Sequence, residues 1–399
     1  MSYPQVIEQS NQVLRELVDA GERVLGYIYP HFPLEIVLAH GLTPSLVRTS
    51  PSIVGAYEAS LQTFSCALTR NLFSQRVNDS LPQLAGIVFP GNTCDALQNV
   101  GDVWRLRFPG DSVFRLTYPA GKPKESAVQF LAEEIRTLSR TLSANYGTTF
   151  SEDAFKDAAT LIRRIRDGLQ LLYATRLIQP SLVSRDTLYE LVGDLLTSPT
   201  NTGLDRIERE LAAASASIEE GLSGAPEKLK NALLSQNLEG LTVQFEDTRP
   251  RIAVIGGMIE PSTIAGLVNG VQGFTDSALV LDLLSFGFKT VFAPPVSTRG
   301  DPFDNAARSI LGAPGEPTQE GLPERTAFLR AILTKLSIHG LIICEQSFCD
   351  PDEFEAPSLE RAAKEVGVAT VKLPIDPELS DRARLEGRIQ TFIETLESK

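Results

Sequence analysis

The side chains in this sequence that are best suited to unusual chemistry are its four cysteines, Cys66, Cys94, Cys344 and Cys349. Four cysteines in a chain of 399 residues are too few for a disulfide framework, so we expect reduced thiols. Cys344 ends an apolar run and is expected to pack in the core. Cys94 and Cys349 each lie in a polar turn after such a run, and an aspartate follows each of them. A role in core packing therefore suits these two thiols poorly.

Three roles are open to the cysteines. They could be inert thiols, one could be a nucleophile, or several could hold a metal centre. A nucleophilic cysteine needs a histidine base within reach, and the chain has three histidines, His31, His40 and His339. Close Cys-x-x-Cys pairs are absent from the sequence, which disfavours zinc ribbons and ferredoxin-like sites. Three thiolates that converge from separate segments would suit a [4Fe–4S] cluster whose remaining iron is open to a substrate oxygen.

Two regions of alternating apolar and helical stretches predict where these cysteines lie. In the first region the sequence predicts helices over Gln5–Ala20, Pro33–Ala39 and Ile53–Leu72, with strands at Val24–Tyr29, Ala85–Phe89 and Val113–Tyr118. In the second it predicts a final helix over Arg382–Leu396 and strands at Ile252–Ile255, Thr290–Ala293, Gly340–Ile343 and Ala369–Leu373. Strands that alternate with helices indicate parallel sheets. Cys94 and Cys349 are thus expected just past the carboxyl ends of strands, where open α/β sheets bind ligands.

A helical region with almost no strand signal separates the two. Its helical periodicity covers Glu125–Asn145, Ser151–Leu177, Arg185–Leu196 and Leu204–Leu222. The sequence therefore predicts an α/β fold with two doubly wound parallel-sheet domains, residues 1–124 and 246–399, and an intervening helical domain, residues 125–245. We expect the second boundary in the polar stretch Gln244–Pro250.

Composition and charge exclude several classes of protein. Hydrophobic residues make up 42% of the chain and charged residues 22%, which is typical of globular proteins and not of disordered or fibrous ones. The formal net charge of −13 disfavours binding to nucleic acid or to an anionic membrane. No apolar run is long enough to span a bilayer. The polar N-terminal residues lack a signal-peptide pattern, so a cytoplasmic protein is expected.

Several segments, in order along nearly the whole chain, together match the pattern of one known enzyme family. The first cysteine segment combines Cys66 with Arg70, and the second combines Cys94 and Asp95 with Asn99. The other matching segments are Gly26-Tyr27-Ile28-Tyr29-Pro30, Pro33-Leu34-Glu35, Ala39-His40-Gly41-Leu42-Thr43-Pro44, Tyr173 with Arg176, Phe348-Cys349-Asp350-Pro351, and Arg388 with Phe392 and Glu394.

Together these segments resemble the 2-hydroxyacyl-CoA dehydratase and benzoyl-CoA reductase family, which includes the D-component of 2-hydroxyglutaryl-CoA dehydratase. This resemblance implies a fold, a cofactor and a reaction. It implies two Rossmann-like or flavodoxin-like units with a helical domain, and it implies that Cys66, Cys94 and Cys349 hold one [4Fe–4S] cluster. Cys344 matches no ligand of the family. The implied reaction is the radical elimination of water from a 2-hydroxyacyl-CoA, in which one-electron reduction of the thioester gives a ketyl radical anion and expels hydroxide.

The resemblance also implies partners. It implies that the electron comes from a separate ATP-dependent iron–sulfur activator. This chain has no Gly-x-x-x-x-Gly-Lys-Ser/Thr phosphate loop, so it is not expected to hydrolyse ATP by that route itself. A related second subunit is expected to complete the enzyme. Three other assignments stay open: a benzoyl-CoA reductase-type subunit that reduces an aromatic acyl-CoA, a non-catalytic iron–sulfur subunit that relays electrons, and a degenerate homologue that binds zinc or no metal.

Two further features have a functional and a structural interpretation. Glu35, at the start of a predicted helix, either orients substrate or acts as a base near the cluster, or it is a first-turn acid stabilised by the helix dipole. Residues 101–124 carry five basic side chains with aromatic residues between them. This stretch is either a dock for the phosphates and adenine of CoA or a solvated basic face.

Overall fold

The strands of the protein form two four-stranded sheets, and every strand pair in them is parallel. The computed structural model describes residues 12–52, 55–218, 222, 224–246 and 250–398. The strands are, in chain order, Val24–Tyr27 (β1), Thr43–Leu46 (β2), Gly86–Gly91 (β3), Val113–Thr117 (β4), Ile252–Ile255 (β5), Leu279–Leu283 (β6), Gly340–Gln346 (β7) and Ala369–Ile375 (β8). The prediction of an α/β fold with two parallel-sheet units and additional helices is confirmed.

The two sheets have the same order of strands. The first is ordered β2-β1-β3-β4 and the second β6-β5-β7-β8. The central strands β3 and β7 are almost completely buried, as expected for parallel strands that helices cover on both faces. In each sheet the second strand along the chain lies on one side of the first strand, and the third and fourth strands lie on its other side. This creates a switch point between β1 and β3, and another between β5 and β7, where ligands commonly bind.

The helices cover the sheets and fill the region between them along the chain. They are Leu34–Leu38 (α1), Ala67–Val77 (α2), Asp95–Arg107 (α3), Glu125–Tyr146 (α4), Glu152–Ile178 (α5), Arg185–Thr197 (α6), Asn201–Ser217 (α7), Ala225–Leu234 (α8), Pro261–Val268 (α9), Pro302–Gly312 (α10), Leu322–Lys335 (α11), Asp350–Glu365 (α12) and Arg382–Glu397 (α13). The long helix α5 begins after Ser151, whose hydroxyl caps the first turn by accepting a hydrogen bond from the backbone N–H of Ala154. It packs against α7 and α8, and α4 packs against α10.

Several predicted elements need correction. Thr290–Ala293 is not a strand: it continues a π-helical turn, Ser285–Lys289, and the strand lies earlier, at β6. A short apolar run has no period that separates a strand from a buried helical turn, which explains the error. Strand β2 was missed because it is four residues long and contains a proline. The helix predicted from Ile53 begins only after Cys66, and Ile53 itself lies outside the described residues.

The hydrophobic core extends through both sheets. One cluster of buried apolar side chains runs from the first sheet through the helices to one face of the second sheet. Another covers the opposite face of the second sheet, where α9 and α13 pack. The domain boundaries proposed near residues 124 and 245 stay predictions. The predicted opening helix is present at residues 12–19, while residues 5–11, 219–221 and 247–249 of predicted segments lie outside the described residues.

Candidate functional site

Cys66, Cys94 and Cys349 line one pocket, although 283 positions separate the first from the last. The space inside this cysteine pocket, together with its opening to solvent, is about 430 Å³. A hydrogen-bonding interaction between the thiols of Cys66 and Cys349 lowers the pKa of Cys66 and raises that of Cys349. Next to these two thiols, the backbone N–H of Ala67 donates to the carbonyl oxygen of Ser347 at 2.9 Å. The structure thus brings together the three sulfurs that the sequence singled out.

Each of the three cysteines is the residue that precedes the first turn of a helix. Cys66 precedes α2, Cys94 precedes α3 and Cys349 precedes α12. None of these described sulfurs makes a regular capping hydrogen bond. Backbone N–H groups of the first turns act to lower the pKa of each thiol, but at Cys94 burial outweighs them, and at Cys349 the interaction with Cys66 and burial outweigh them, so the pKa of these two thiols is raised. Three helix N-termini nevertheless point their positive ends at one pocket, which favours a bound group of negative charge there.

The fourth thiol, that of Cys344, lies in a different environment. Cys344 lies within β7, is 1% exposed and does not line the cysteine pocket. Burial raises the pKa of Cys344 well above its usual value, and burial also raises the pKa of Cys94, to about 11. The expectation that Cys344 packs in the core is confirmed. Its neutral thiol is chemically inert in this surrounding.

The pocket lies where the carboxyl ends of strands from both sheets meet. Tyr29 follows β1, Gly257 follows β5, and Gln346 is the last residue of β7, and all three line it. A Cβ atom at Gly257 would overlap the carboxylate of Asp352, so glycine leaves room for this acid in the wall. The Asp352 carboxylate accepts a hydrogen bond from the backbone N–H of Gln346 at 3.1 Å, and burial raises its pKa to about 7.

A second acid of the pocket, Glu316, belongs to a buried network of charged and polar groups. His31 lies 2.9 Å from one carboxylate oxygen, while Ser285 and Lys289 donate to the other at 2.6 and 3.1 Å. Burial alone would raise the pKa of Glu316, but the charge of Lys289 and the interaction with His31 outweigh it and lower the pKa to about 2. Glu316 therefore stays ionised in the wall of the cysteine pocket.

Glu35 lies in a different pocket, which none of the three described cysteines lines. Its carboxylate is buried 3.6 Å from Arg166, and burial raises its pKa. His31 connects the two pockets, because it lines the Glu35 pocket and contacts Glu316 in the wall of the cysteine pocket. The structure thus separates Glu35 from the thiols by this histidine. A role for Glu35 stays a prediction.

The histidines do not support a cysteine nucleophile. In the described part of the chain, no histidine lines the cysteine pocket. His31 contacts Glu316, His40 contacts Ser139 and Thr148, and His339 accepts a hydrogen bond from the backbone of Arg251. A thiol without an adjacent base is a weak candidate for nucleophilic catalysis.

The basic stretch 101–124 does not form the stacked dock that its composition suggests. Trp104, Phe114 and Tyr118 are 1%, 6% and 2% exposed, so their rings are not available to an adenine. Arg105 and Arg115 both pair with Asp102. The arrangement favours the alternative interpretation, a solvated face whose arginines are paired with acids.

Among the residues of the pocket wall, sequence reasoning missed Glu316, Gln346 and Asp352. A polar residue at the end of the apolar run Gly340–Ile343 was a usable signal for Gln346, because such positions face the ligand edge of a sheet. Glu316 had no signal in the sequence, since its partners come from segments 27 to 285 positions away.

The arrangement of the His, Cys, Asp and Glu side chains in the described residues does not indicate a site for a single metal ion. Among the described residues, no group of three or more His, Cys, Asp or Glu side chains could hold one ion. The donor set of the cysteine pocket is three thiols at three helix N-termini. In an iron–sulfur cluster each thiolate binds a different iron of a larger cage, so its ligands need not converge on one point.

Comparisons with known proteins find similarity to subunits of acyl-CoA dehydratases. The model of a family described as "2-hydroxyglutaryl-CoA dehydratase, D-component" matches residues 30–396. The chain is 20% identical over 386 residues to lactoyl-CoA dehydratase subunit beta of Anaerotignum propionicum, covering 95% of this chain and 93% of that relative. It is 22% identical over 389 residues to (R)-2-hydroxyglutaryl-CoA dehydratase subunit beta of Acidaminococcus fermentans, covering 94% and 93%.

A reductase protein is similarly related. One of the subunits of benzoyl-CoA reductase from Thauera aromatica is 21% identical over 349 residues, covering 86% of this chain and 82% of that relative. All three relatives are named as subunits of larger enzymes.

The helices give no indication of a transmembrane segment. Each helix in the described part of the chain is either too short or too polar to span a bilayer.

Proposed function

Because the chain belongs to the 2-hydroxyglutaryl-CoA dehydratase D-component family, we propose that it is the [4Fe–4S] subunit of a 2-hydroxyacyl-CoA dehydratase-type enzyme. The reaction would be the elimination of water from a 2-hydroxyacyl-CoA. The observation that carries the proposal is the convergence of Cys66, Cys94 and Cys349 on one pocket at the carboxyl ends of both sheets. Cys344, the cysteine outside the family pattern, lies outside this pocket.

The residues of the pocket fit such a cofactor. Three cysteines would hold the cluster and leave one iron without a protein ligand. When bound, the cluster would supply an electron and a Lewis-acid position for a substrate oxygen. Three helix N-termini stabilise the negative charge of a thiolate-ligated cluster. The thiols are buried or half-buried, and this limits the access of water and oxygen to the site.

The acids of the pocket wall have separate tasks in this proposal. Asp352, with a pKa of about 7, can exchange a proton near neutral pH and so can protonate the departing hydroxyl group. Glu316 stays ionised because Lys289 and His31 hold its charge. It therefore fixes the position of the loop that carries Pro317 and Thr318 against the pocket. Glu35 would orient the substrate or act as a base from the adjoining pocket.

The proposal includes partners. The relatives are named as subunits, which supports a related second subunit in a dimeric enzyme. An ATP-dependent iron–sulfur activator protein would supply the electron, as the family resemblance implies, and the sequence of this chain has no phosphate loop of its own. Phe64 and Phe348, close in sequence to Cys66 and Cys349, are 64% and 51% exposed, and exposed aromatic rings of this kind favour coverage by another protein.

Anaerobic preparation of the full chain tests the cofactor. We expect brown protein with about four irons and four acid-labile sulfides per chain, and an electron paramagnetic resonance signal after reduction. The triple substitution of Cys66, Cys94 and Cys349 to serine should abolish all three observations. Cys344→Ala is the matched control and should retain them. Colourless wild-type protein without acid-labile sulfide would refute the proposal.

A second experiment tests the reaction class. The reduced protein, with its partner subunit and activator, is offered a 2-hydroxyacyl-CoA and an aromatic acyl-CoA in parallel, and the products are identified. We expect the enoyl-CoA from the first and no ring reduction of the second. Ring reduction alone would indicate a benzoyl-CoA reductase-type subunit. The electron paramagnetic resonance spectrum of the reduced protein is recorded with and without each acyl-CoA. If neither acyl-CoA changes this spectrum, the chain is an electron relay and not a substrate-binding subunit.

A further inference from the structure

The side-chain amide of Gln346 is a hydrogen-bond donor without a partner in the wall of the cysteine pocket. Gln346 ends β7, lines the pocket and is 3% exposed. Its Nε2 atom is buried and has no hydrogen-bond partner. The other buried side-chain atoms of the described residues that lack a partner belong to residues outside the pocket lining. Because buried donors are almost always paired, this amide points to an acceptor inside the pocket.

The backbone around Gln346 holds the residue in place. Its N–H donates to Asp352 at 3.1 Å, and its carbonyl oxygen accepts from the N–H of Cys349 at 2.9 Å. The second bond ties Gln346 directly to one of the three cysteines that line the pocket. The side chain is therefore fixed at its base by the same turn that presents the thiol of Cys349.

The pocket contains few acceptors that the amide can use. Both carboxylate oxygens of Glu316 already interact with His31, Ser285 and Lys289. One oxygen of Asp352 already accepts from the backbone of Gln346. The acceptors that remain in the lining include the other oxygen of Asp352 and the cysteine sulfurs.

We propose that Gln346 is a positioning residue that donates a hydrogen bond from Nε2 to a sulfur of the bound cluster. This inference rests on the proposed function, because the acceptor belongs to the cofactor. A hydrogen bond to sulfur withdraws negative charge and stabilises the reduced, more anionic state. Gln346 therefore raises the reduction potential, whereas the ionised Glu316 in the same wall lowers it.

The first test detects the hydrogen bond in the unaltered chain. Protein labelled with ¹⁵N on the glutamine side-chain amides is reconstituted anaerobically and reduced, and the couplings of the cluster to nearby ¹⁵N nuclei are measured by pulsed electron paramagnetic resonance. We expect a weak ¹⁵N coupling from one amide, and its loss in Gln346→Met. A labelled cluster without any such coupling would overturn the inference.

The second test measures the reduction potential. Gln346→Met keeps the length of the side chain and removes the donor, and it should lower the equilibrium constant for reduction about tenfold, which is about 59 mV for one electron. Gln170→Met is the matched control. This buried glutamine, 3% exposed, donates to the carbonyl oxygen of Val291 at 2.8 Å and lies outside the cysteine pocket, so the potential should not change.

The outcomes separate this inference from the proposed function. An unaltered chain that binds no cluster refutes both. A chain that binds the cluster but shows the same potential in Gln346→Met and in wild type refutes only the role of Gln346. If Gln346→Met fails to fold, the ¹⁵N coupling in unaltered protein decides, and Gln346→Glu, which also lacks the donor when ionised, provides the second potential.

Discussion

The two parallel sheets have the same strand order but present different side chains at their carboxyl ends. In each sheet the third strand in chain order, β3 or β7, leads to a cysteine that begins the next helix. Cys94 and Cys349 thus occupy equivalent positions next to the two switch points. The shared topology explains why two residues far apart in sequence meet: both sheets direct this same position toward a common pocket.

The positions after the other strands differ between the sheets. After β2 the first sheet provides Cys66, whereas after β6 the second provides Ser285 and Lys289, which bind Glu316. Two residues after the first strand, the first sheet has Tyr29 and the second has Gly257. The first sheet therefore contributes two thiols, and the second contributes one thiol and a charged network. The shared strand order places corresponding positions of the two sheets at the pocket. The side chains at those positions differ, so each sheet contributes different chemical groups.

The largest expected effect tests the equivalence of Cys94 and Cys349. Each alanine variant removes one of three proposed ligands, so both should lose at least nine-tenths of the bound iron, to about the same extent. Iron and acid-labile sulfide per chain, after anaerobic reconstitution, provide the measurement. Full iron content in one variant and loss in the other would show that the two positions are not equivalent.

The next effect concerns the ion pair that joins the two halves. Arg48, after β2, donates to Glu260, after β5, at 2.9 and 3.0 Å, and both side chains are buried. Glu260→Ala leaves a buried guanidinium without its carboxylate and should lower the free energy of unfolding by about 3–5 kcal/mol. Urea denaturation measures this change.

A matched surface pair serves as the control for that prediction. Arg164 and Glu208 form an ion pair whose side chains are about half exposed. Glu208→Ala should change the free energy of unfolding by less than about 1 kcal/mol. Equal losses in the two variants would mean that the buried pair does not hold the halves together.

The third effect is a pH dependence that only the second half should have. The pKa of Glu316 is lowered to about 2, from an ordinary 4.5, so its stabilisation is complete above pH 4.5 and is lost as the pH falls toward 2. This difference corresponds to about 3 kcal/mol. Glu316→Gln should therefore be less stable at pH 7 and should lose less stability between pH 4.5 and 2. Urea midpoints across this interval measure the slope, and an unchanged slope in the variant would contradict the prediction.

The smallest effect concerns Gly257. A methyl group there would overlap Asp352, so Gly257→Ala should lower the free energy of unfolding by about 1–3 kcal/mol. Gly387 in α13 is the control, because a Cβ there has no described atom within 4 Å. Gly387→Ala should raise the free energy of unfolding by about 0.5–1 kcal/mol. If both variants behave alike, the close approach of Gly257 to Asp352 does not constrain the pocket.

The strands next to the cysteines were predictable and their neighbours were not. The runs before Cys94 and Cys349 are apolar and bounded by turn residues, which identifies them as strands. Strand β6 contains Asp282, which interrupts the apolar run, and this acid is buried only because Tyr173 and two backbone N–H groups satisfy it. The sequence around Asp282 does not show that a distant residue such as Tyr173 will bind this acid. For that reason the uninterrupted apolar run at Thr290–Ala293 was predicted to be the strand instead.

The sequence by itself determined which residues could hold a metal cluster and on which edge of a sheet Cys94 and Cys349 lie. Residue type and the alternation of strands and helices are local properties, and they can be read without coordinates. The family resemblance added Cys66 to this pair, but only the tertiary structure placed its thiol in the same pocket. It also decided that Glu35 lines another pocket together with His31, and that Glu316 and Gln346 complete the wall. These features depend on segments far apart in the chain, and packing alone sets their distances and their burial.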